Sequence, residues 1–251
     1  MTAPVFLAGR EQLAGTAPEG NGTIVLDGPE GRHAVSVRRL RPGEQIVLTD
    51  GAGTGASGTV AAVSGKDRLE VAITAVRTEP EPRPRITVVQ ALPKGDRGEL
   101  AVETLTETGA DAIVPWAASR CVTRWNGERG LKSLAKWRST AREAGKQARR
   151  LRFPEVADLA GTARVAELLR GAALGAVLHE EGGIPLATAE LPPDGDIVLV
   201  VGPEGGVSPQ ELTAFADAGA RPYRLGPTVL RTSTAGTAAA ALLLGRTGRW
   251  S

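Results

Sequence analysis

Val200-Val201-Gly202-Pro203-Glu204-Gly205-Gly206-Val207-Ser208-Pro209-Gln210-Glu211 holds three kinds of structure in twelve residues. Ile197–Val201, which leads into it, is a continuous apolar run of the sort that forms a strand buried on both faces. Ser208, Pro209 and Glu211 are a helix N-cap, a proline at the first helical position and the glutamate of a capping box. Between strand and helix lie three glycines and a proline around one glutamate. Glycine lets backbone approach a ligand closely, and open α/β sheets bind ligands at the carboxyl ends of their strands. The segment is a ligand loop or an ordinary strand–helix connection, and the glycine density favours the first.

The same grammar extends outward on both sides. Ile86–Ala91, Ala112–Pro115 and Leu174–Leu178 are further short apolar strands. Asp96 with Glu99 predicts a capped helix start, and a last helix is expected from about Ser233 to Leu244, stopping at Gly245. Strands alternating with helices imply an α/β fold with a parallel sheet covered on both faces. Two more strand ends carry polar groups. Tyr223–Leu225 runs into Gly226-Pro227 and then Arg231 before a small-residue helix; Gln90-Ala-Leu-Pro-Lys94-Gly95-Asp96-Arg97 follows the first strand of the sheet.

Upstream the pattern is different. Thr23–Leu26, Gln45–Thr49, Gly58–Val63 and Leu69–Val76 are short β-rich runs punctuated by Gly-Pro and Asp-Gly turns, a small β-barrel in the making. Three prolines in five residues, Pro80 to Pro84, read as a stiff linker. The expected division is a β domain over 1–77, a linker over 78–84 and an α/β domain over 85–251. Gly53-Thr-Gly55-Ala-Ser-Gly58 matches the dinucleotide pattern G-x-G-x-x-G, but Thr59–Val63 after it reads as a returning strand and not a helix, so a hairpin is expected.

Composition narrows the chemistry. Apolar residues make up 41% and charged residues 23% of 251, an ordinary globular balance. No apolar run approaches a membrane span, and the first residues do not read as a secretory signal, so a cytoplasmic protein is expected. One cysteine, Cys121, and two histidines leave no disulfide framework and no multi-cysteine or multi-histidine metal site. Net charge is +2, yet Arg120 to Arg152 holds eleven basic residues against two acidic ones, a local +9 that leaves −7 for the rest. Leu134, Trp137, Ala141, Ala144, Ala148 and Leu151 form one apolar stripe at helical spacing, and Arg138, Arg142, Lys146 and Arg149 run up the opposite side. Such a ridge is a phosphate track or a solvated face.

QALPKGDR (Gln90–Arg97), EAGKQARR (Glu143–Arg150) with Pro154 after it, VVGPEGGVSPQE (Val200–Glu211) and LGPTVLRTSTA (Leu225–Ala235), behind a small β domain containing His33 and Val37-Arg38, resemble the 16S ribosomal RNA uridine-N3 methyltransferases, the RsmE family of the SPOUT class. The resemblance implies a PUA-like β-barrel, a C-terminal parallel sheet with a trefoil knot, and a homodimer. It implies S-adenosylmethionine as cofactor and methylation of N3 of uridine 1498 in 16S rRNA, within the assembled small subunit. On this chain the implied cofactor residues are Leu178, Val201, Gly202, Glu204, Gly205, Leu225, Gly226, Val229, Leu230 and Arg231. Arg231 and Glu204 are the catalytic candidates. His33, Arg38, Arg39, Lys94, Arg97, Arg138, Arg142, Lys146 and Arg149 are the RNA-binding candidates. The chain departs from the family at Ser233, where a glutamate is usual, at Thr104–Gly109, where Lys-x-x-Glu-Leu-Gly is usual, and at Val5, near the place of an early arginine.

A ring nitrogen that attacks the methyl donor itself needs no covalent enzyme intermediate. Methylation at carbon-5 would call for a cysteine nucleophile; Cys121 is the only candidate, and it reads as a buried thiol. Two other readings stand beside the first. One is a SPOUT enzyme acting on another RNA site, including a ribose hydroxyl. The other is a non-catalytic RNA-binding or ribosome-assembly protein that uses the β domain and the basic ridge.

Overall fold

A computed structural model describes residues 3–15 and 22–250; residues 1, 2 and 251, at the outer ends of the expected domains, and residues 16–21 lie outside it. In chain order the elements are β1 (Val5–Leu7), α1 (Arg10–Ala14), β2 (Gly22–Leu26), α2 (Gly28–Arg32), β3 (Gln45–Thr49), β4 (Thr54–Ser64), β5 (Arg68–Thr78), β6 (Arg85–Ala91), α3 (Arg97–Thr108), β7 (Ala112–Trp116), α4 (Gly127–Gln147), β8 (Glu155–Val156), α5 (Thr162–Gly171), β9 (Leu174–Leu178), β10 (Ile184–Pro185), β11 (Asp196–Val201), α6 (Pro209–Asp217), β12 (Arg221–Arg224) and α7 (Thr232–Arg246). A π-helical turn, His33–Val37, follows α2. They form two compact units, one of residues up to Glu81 plus Gly145–Phe153, the other of Pro82–Ala144 and everything from Pro154.

The first unit is a five-stranded mixed sheet in the order β1-β3-β4-β5-β2, antiparallel except for the parallel pair β1–β3. Alternating side chains put Ile46, Leu48, Val60, Leu69, Val71 and Ile73 into its core. The G-x-G-x-x-G segment is part of the β3–β4 hairpin, as expected, and its glycines have packing reasons. A Cβ at Gly55 would come within 2.6 Å of Leu151 Cδ2, and one at Gly58 within 2.6 Å of the Ala72 carbonyl oxygen.

Residues 145–153 correct the expected division, which assigned all of 85–251 to one domain. Phe153 N–H donates to the Gly51 carbonyl (2.8 Å), Gly53 N–H to the Leu151 carbonyl (2.9 Å), and Lys146 Nζ to Glu30 Oε1 (2.7 Å). The cause is local. Helix α4 stops at Gln147, where Arg149 takes a left-handed φ of 56° and Arg150 N–H reaches back to the Gly145 carbonyl (3.0 Å). Ala148 and Leu151, expected on the helical stripe, lie beyond it, while Leu134, Trp137, Ala141 and Ala144 are buried as expected.

The outward ridge is corrected with it. Lys146 is 4% exposed at its side chain and ion-paired with Glu30; Arg149 is past the helix end. Arg138 donates to the Val156 carbonyl (3.1 Å) and pairs with Asp158 (2.9 Å). Only Arg142 keeps the free, exposed place on the helix that the spacing gave all four. The helical period was read through a chain reversal, and every position after it is out of phase.

The second unit is a seven-stranded, wholly parallel sheet in the order β10-β12-β9-β11-β6-β7-β8. Ile197 to Val201 are all at most 2% exposed, and since successive side chains alternate, both faces of β11 are covered. Helix α7 packs on β6, β11 and α3; α5 packs on β9, β11 and α6. From β6 the chain builds outward through β7 and β8, and the later strands β9, β11 and β12 lie on the other side. The switch point therefore falls between β6 and β11.

Two helix termini differ from expectation. Asp96 does not cap α3 with its side chain, because its backbone (φ −82°, ψ 2°) is not in the extended geometry of an N-cap; Glu99 pairs with Lys136 instead (3.0 Å). Helix α7 runs through Gly245 to Arg246, whose guanidinium donates to the Leu186 and Ala189 carbonyls. No helix among the described residues is long and apolar enough to cross a membrane.

Candidate functional site

Three loops leave the carboxyl ends of neighbouring strands in the second unit. Leu178–Glu180 follows β9, Gly202–Val207 follows β11, and Leu225–Arg231 joins β12 to α7; all three line one cavity of about 730 Å³. That is the size of a small-molecule site. All ten cofactor candidates line it: Leu178, Val201, Gly202, Glu204, Gly205, Leu225, Gly226, Val229, Leu230 and Arg231. Arg97, at the start of α3, joins them.

Each loop is fixed from behind. In the β11 loop, Gly206 takes a φ of +74° and donates its N–H to the Pro203 carbonyl (2.8 Å), closing a tight turn that a side chain there would strain. A Cβ at Gly202 would meet Val207 Cγ2 at 2.8 Å, whereas one at Gly226 would meet nothing within 4 Å. The wall beside Gly226 is open, so backbone is presented there directly. Arg231 is the N-cap residue of α7 in extended conformation (φ −69°, ψ 152°), and its carbonyl accepts from Thr234 and Ala235 N–H, both 2.9 Å. Its own side chain is exposed. Glu204 is also exposed, and its Oε1 accepts the Lys94 N–H at 3.2 Å, which brings the β6 end to the β11 loop.

Behind the loops sit two buried polar anchors. Gln90, completely buried at the end of β6, donates through Nε2 to the Ala91 and Thr232 carbonyls (3.1 Å each); its Oε1 is buried and has no hydrogen-bond partner among the described residues. Glu211 is the second. Its Oε2 accepts Ser208 N–H (2.9 Å) and Ser208 Oγ (2.8 Å), the expected capping box, and Oε1 accepts Ser119 N–H (2.7 Å) and the Thr162 hydroxyl (3.3 Å). Burial pushes this carboxyl up, but the Ser119 and Ser208 hydrogen bonds together outweigh it and hold it below the ordinary glutamate value.

Cys121 is buried, and burial raises its thiol above the ordinary value against the opposing pull of backbone hydrogen bonds and Arg124. A thiol kept protonated is a poor nucleophile. Of the RNA-binding candidates, Lys94 and Arg97 lie at the cavity end of this unit, while Arg138, Arg142, Lys146 and Arg149 do not line it. His33, Arg38 and Arg39 belong to the first unit. His33 packs edge-on against Phe6 with ring centroids 5.6 Å apart, and exposed Arg38 and Arg39 follow the π-helical turn. Sequence reasoning missed Arg120, His179 and Arg224, which also line the cavity. Arg120 and Arg224 carried the strand-end signal, since they follow β7 and close β12, but Arg120 was absorbed into the basic block.

A family model described as an RNA methyltransferase domain matches residues 79–244, and one described as an RNA methyltransferase PUA domain matches residues 26–74. The chain is 46% identical over 239 residues to the ribosomal RNA small subunit methyltransferase E of Mycobacterium bovis, covering 94% of this chain and 91% of that one. It is 30% identical to the protein of the same name from Bacillus subtilis, over 85% of this chain and 86% of that one. Among solved structures, the Neisseria gonorrhoeae ribosomal RNA small subunit methyltransferase E bound to S-adenosyl methionine superposes with a TM-score of 0.83 at 29% identity, covering 98% of each chain. A wholly parallel sheet with three strand-end loops on one cavity, joined to a PUA domain, thus meets its relatives along nearly its full length, and the chain belongs to the ribosomal RNA small subunit methyltransferase E family of RNA methyltransferases.

Proposed function

We propose that this protein transfers a methyl group from S-adenosylmethionine to N3 of a single uridine of 16S rRNA, uridine 1498 by family resemblance, with the assembled small subunit as substrate. The observation that carries the reading is the convergence of all three strand-end loops, with every cofactor candidate, on one cavity. The residues present fit the cofactor. Gly226 leaves an open backbone wall, Gly202 and Gly206 hold a turn that side chains would block, and Leu178, Val201, Leu225, Val229 and Leu230 supply apolar surface at the strand ends. Bound there, S-adenosylmethionine supplies an electrophilic methyl group on a sulfonium.

The chain's own residues do the rest. Loss of the N3 imide proton to solvent leaves a uracil anion, and the Arg231 guanidinium, fixed at the start of α7, stabilises that charge as it develops. Glu204, tied through Lys94 N–H to the β6 end, orients the base or holds the loop in register. Holding acceptor and methyl donor near 3–3.5 Å contributes roughly 7–11 kcal/mol to lowering the barrier. Cys121 takes no part. His33, Arg38, Arg39, Lys94, Arg97 and Arg142 contact the RNA, the first three from the PUA domain. The reading includes a linker over 78–84, a homodimer, a cytoplasmic location and a trefoil knot in the second unit. For the knot, the support is the return of α7 onto β6 and β11 after β12 has been laid beyond β9.

Mass spectrometry of 16S rRNA nucleosides from cells with and without the protein tests this. The expected result is loss of 3-methyluridine without the protein; an unchanged nucleoside profile rejects the assignment.

A further inference from the structure

The cavity is too positive for its cofactor. Its lining holds four arginines, Arg97, Arg120, Arg224 and Arg231, against two carboxylates, Glu180 and Glu204. S-adenosylmethionine is itself a net cation, with a sulfonium, an ammonium and one carboxylate. A site for that molecule alone would not gather an excess of guanidinium groups; the excess calls for a second, anionic ligand at the same cavity.

Arg120 is the arginine most firmly prepared for it. Arg124 wraps the turn that carries it, donating to the Ala118 carbonyl (3.3 Å) and the Ser119 carbonyl (2.9 Å). Glu211 holds the Ser119 N–H (2.7 Å), and the Thr123 hydroxyl is tied to the Pro93 carbonyl (2.8 Å). At its tip, Arg120 Nη1 donates to the Gly205 carbonyl (3.1 Å). That bond uses one donor of five; Nε and Nη2 make no hydrogen bond among the described residues, and the side chain is exposed on the cavity wall. A planar fork pinned at one nitrogen, with its other donors free, is suited to bidentate contact with a phosphate.

We propose that Arg120 binds a phosphodiester of the substrate RNA next to the target nucleoside, so that one guanidinium joins the glycine loop to the RNA backbone. The proposal rests on the methyltransferase reading and adds to it a positioning residue that holds the RNA backbone at the cavity. Its test uses the full-length protein, Arg120→Ala and Arg120→Lys, with small ribosomal subunits from cells lacking the protein across a salt series and S-adenosylmethionine in calorimetry. Arg120→Ala should weaken RNA binding about tenfold, the scale of one lost charge-assisted contact. It should also lower the slope of log affinity against log salt by about 0.7–0.9, with RNA affinity falling further than S-adenosylmethionine affinity. Arg120→Lys, which keeps the charge and loses the fork, should keep the slope and lose part of the affinity; if the alanine variant does not fold, this variant decides. Loss of S-adenosylmethionine affinity with RNA binding and slope intact would assign the arginine to the cofactor's carboxylate and overturn the proposal. So would wild-type RNA affinity in Arg120→Lys alongside an unfolded or unaffected Arg120→Ala. Failure of the wild type to methylate small subunits isolated from cells lacking the protein rejects the underlying function instead, a result separate from either variant's.

Discussion

Replacing Glu211 with alanine removes the acceptor for four hydrogen bonds at once, two from Ser208, one from the Ser119 backbone and one from Thr162. Loss of an N-cap partnership costs about 0.5–2 kcal/mol. Leaving the buried Ser208 N–H without an acceptor costs about 1–3 kcal/mol more, and because both losses share Ser208 they overlap. The expected destabilisation is about 2–4 kcal/mol, which at about 2–4 °C per kcal/mol for a chain of this size lowers the melting temperature by roughly 5–15 °C. Differential scanning calorimetry measures this directly. The pH dependence has a definite sign. The folded state holds Glu211 below its unfolded pKa, so its contribution is fully present above the ordinary glutamate value near 4.3 and is lost as pH falls through the folded value. Wild-type stability should therefore drop more steeply below about pH 4.3 than that of Glu211→Gln. A melting temperature for Glu211→Ala within 2 °C of wild type, or parallel acid profiles for the two proteins, would refute the view that this carboxylate ties the loop, the Ser119 turn and α5 together.

Three further substitutions separate function from fold. Gly226→Val adds bulk where a Cβ meets nothing within 4 Å, so it should fold with a near-normal melting temperature and show no S-adenosylmethionine binding in calorimetry; normal affinity would contradict the cofactor assignment. Lys146→Glu puts a like charge beside Glu30 in a buried pair and should cost about 3–5 kcal/mol. Arg142→Glu, on the exposed helix face, should stay within about 0.5 kcal/mol of wild type and instead lower the salt slope of RNA binding. Equal stability losses in the two would restore the continuous ridge.

The second unit was largely legible because its signals are local. A run such as Ile197–Val201, a capping box at Ser208–Glu211 and a glycine-dense connection each state their structure within a few residues, and the strand-end rule converts that into a site. The same rule picks out Gly226 and Arg231. What escaped depends on contacts distant in sequence. Lys146 has the spacing of a ridge residue, and only Glu30, more than a hundred residues earlier, reveals that it is buried. Leu151 continues a helical period by coincidence, because Gly55 leaves room for it in another unit. Arg120 was visible as charge and invisible as a cavity residue, since its role depends on Gly205 lying beside it. Asp96 shows the opposite failure: the right residue types for a cap, on a backbone whose angles do not permit one.

The passage of Gly145–Phe153 into the first unit has a consequence for how the protein is made. During synthesis the β domain cannot close its contacts at Thr49, Gly51 and Gly53 when Glu81 is added, because Leu151 and Phe153 do not yet exist. The ribosome must first translate seventy-odd residues, including β6, α3, β7 and all of α4. At about 5–20 residues per second that is a wait of roughly 4–14 s. Through that interval the hairpin edge at Asp50–Thr54 and the carboxylate of Glu30 are without their later partners, and Gly55 faces an empty notch. The N-terminal unit is thus first in sequence without being first to mature, and a nascent chain stalled before Leu151 would carry a β domain that is paired in its strands and unfinished on one side.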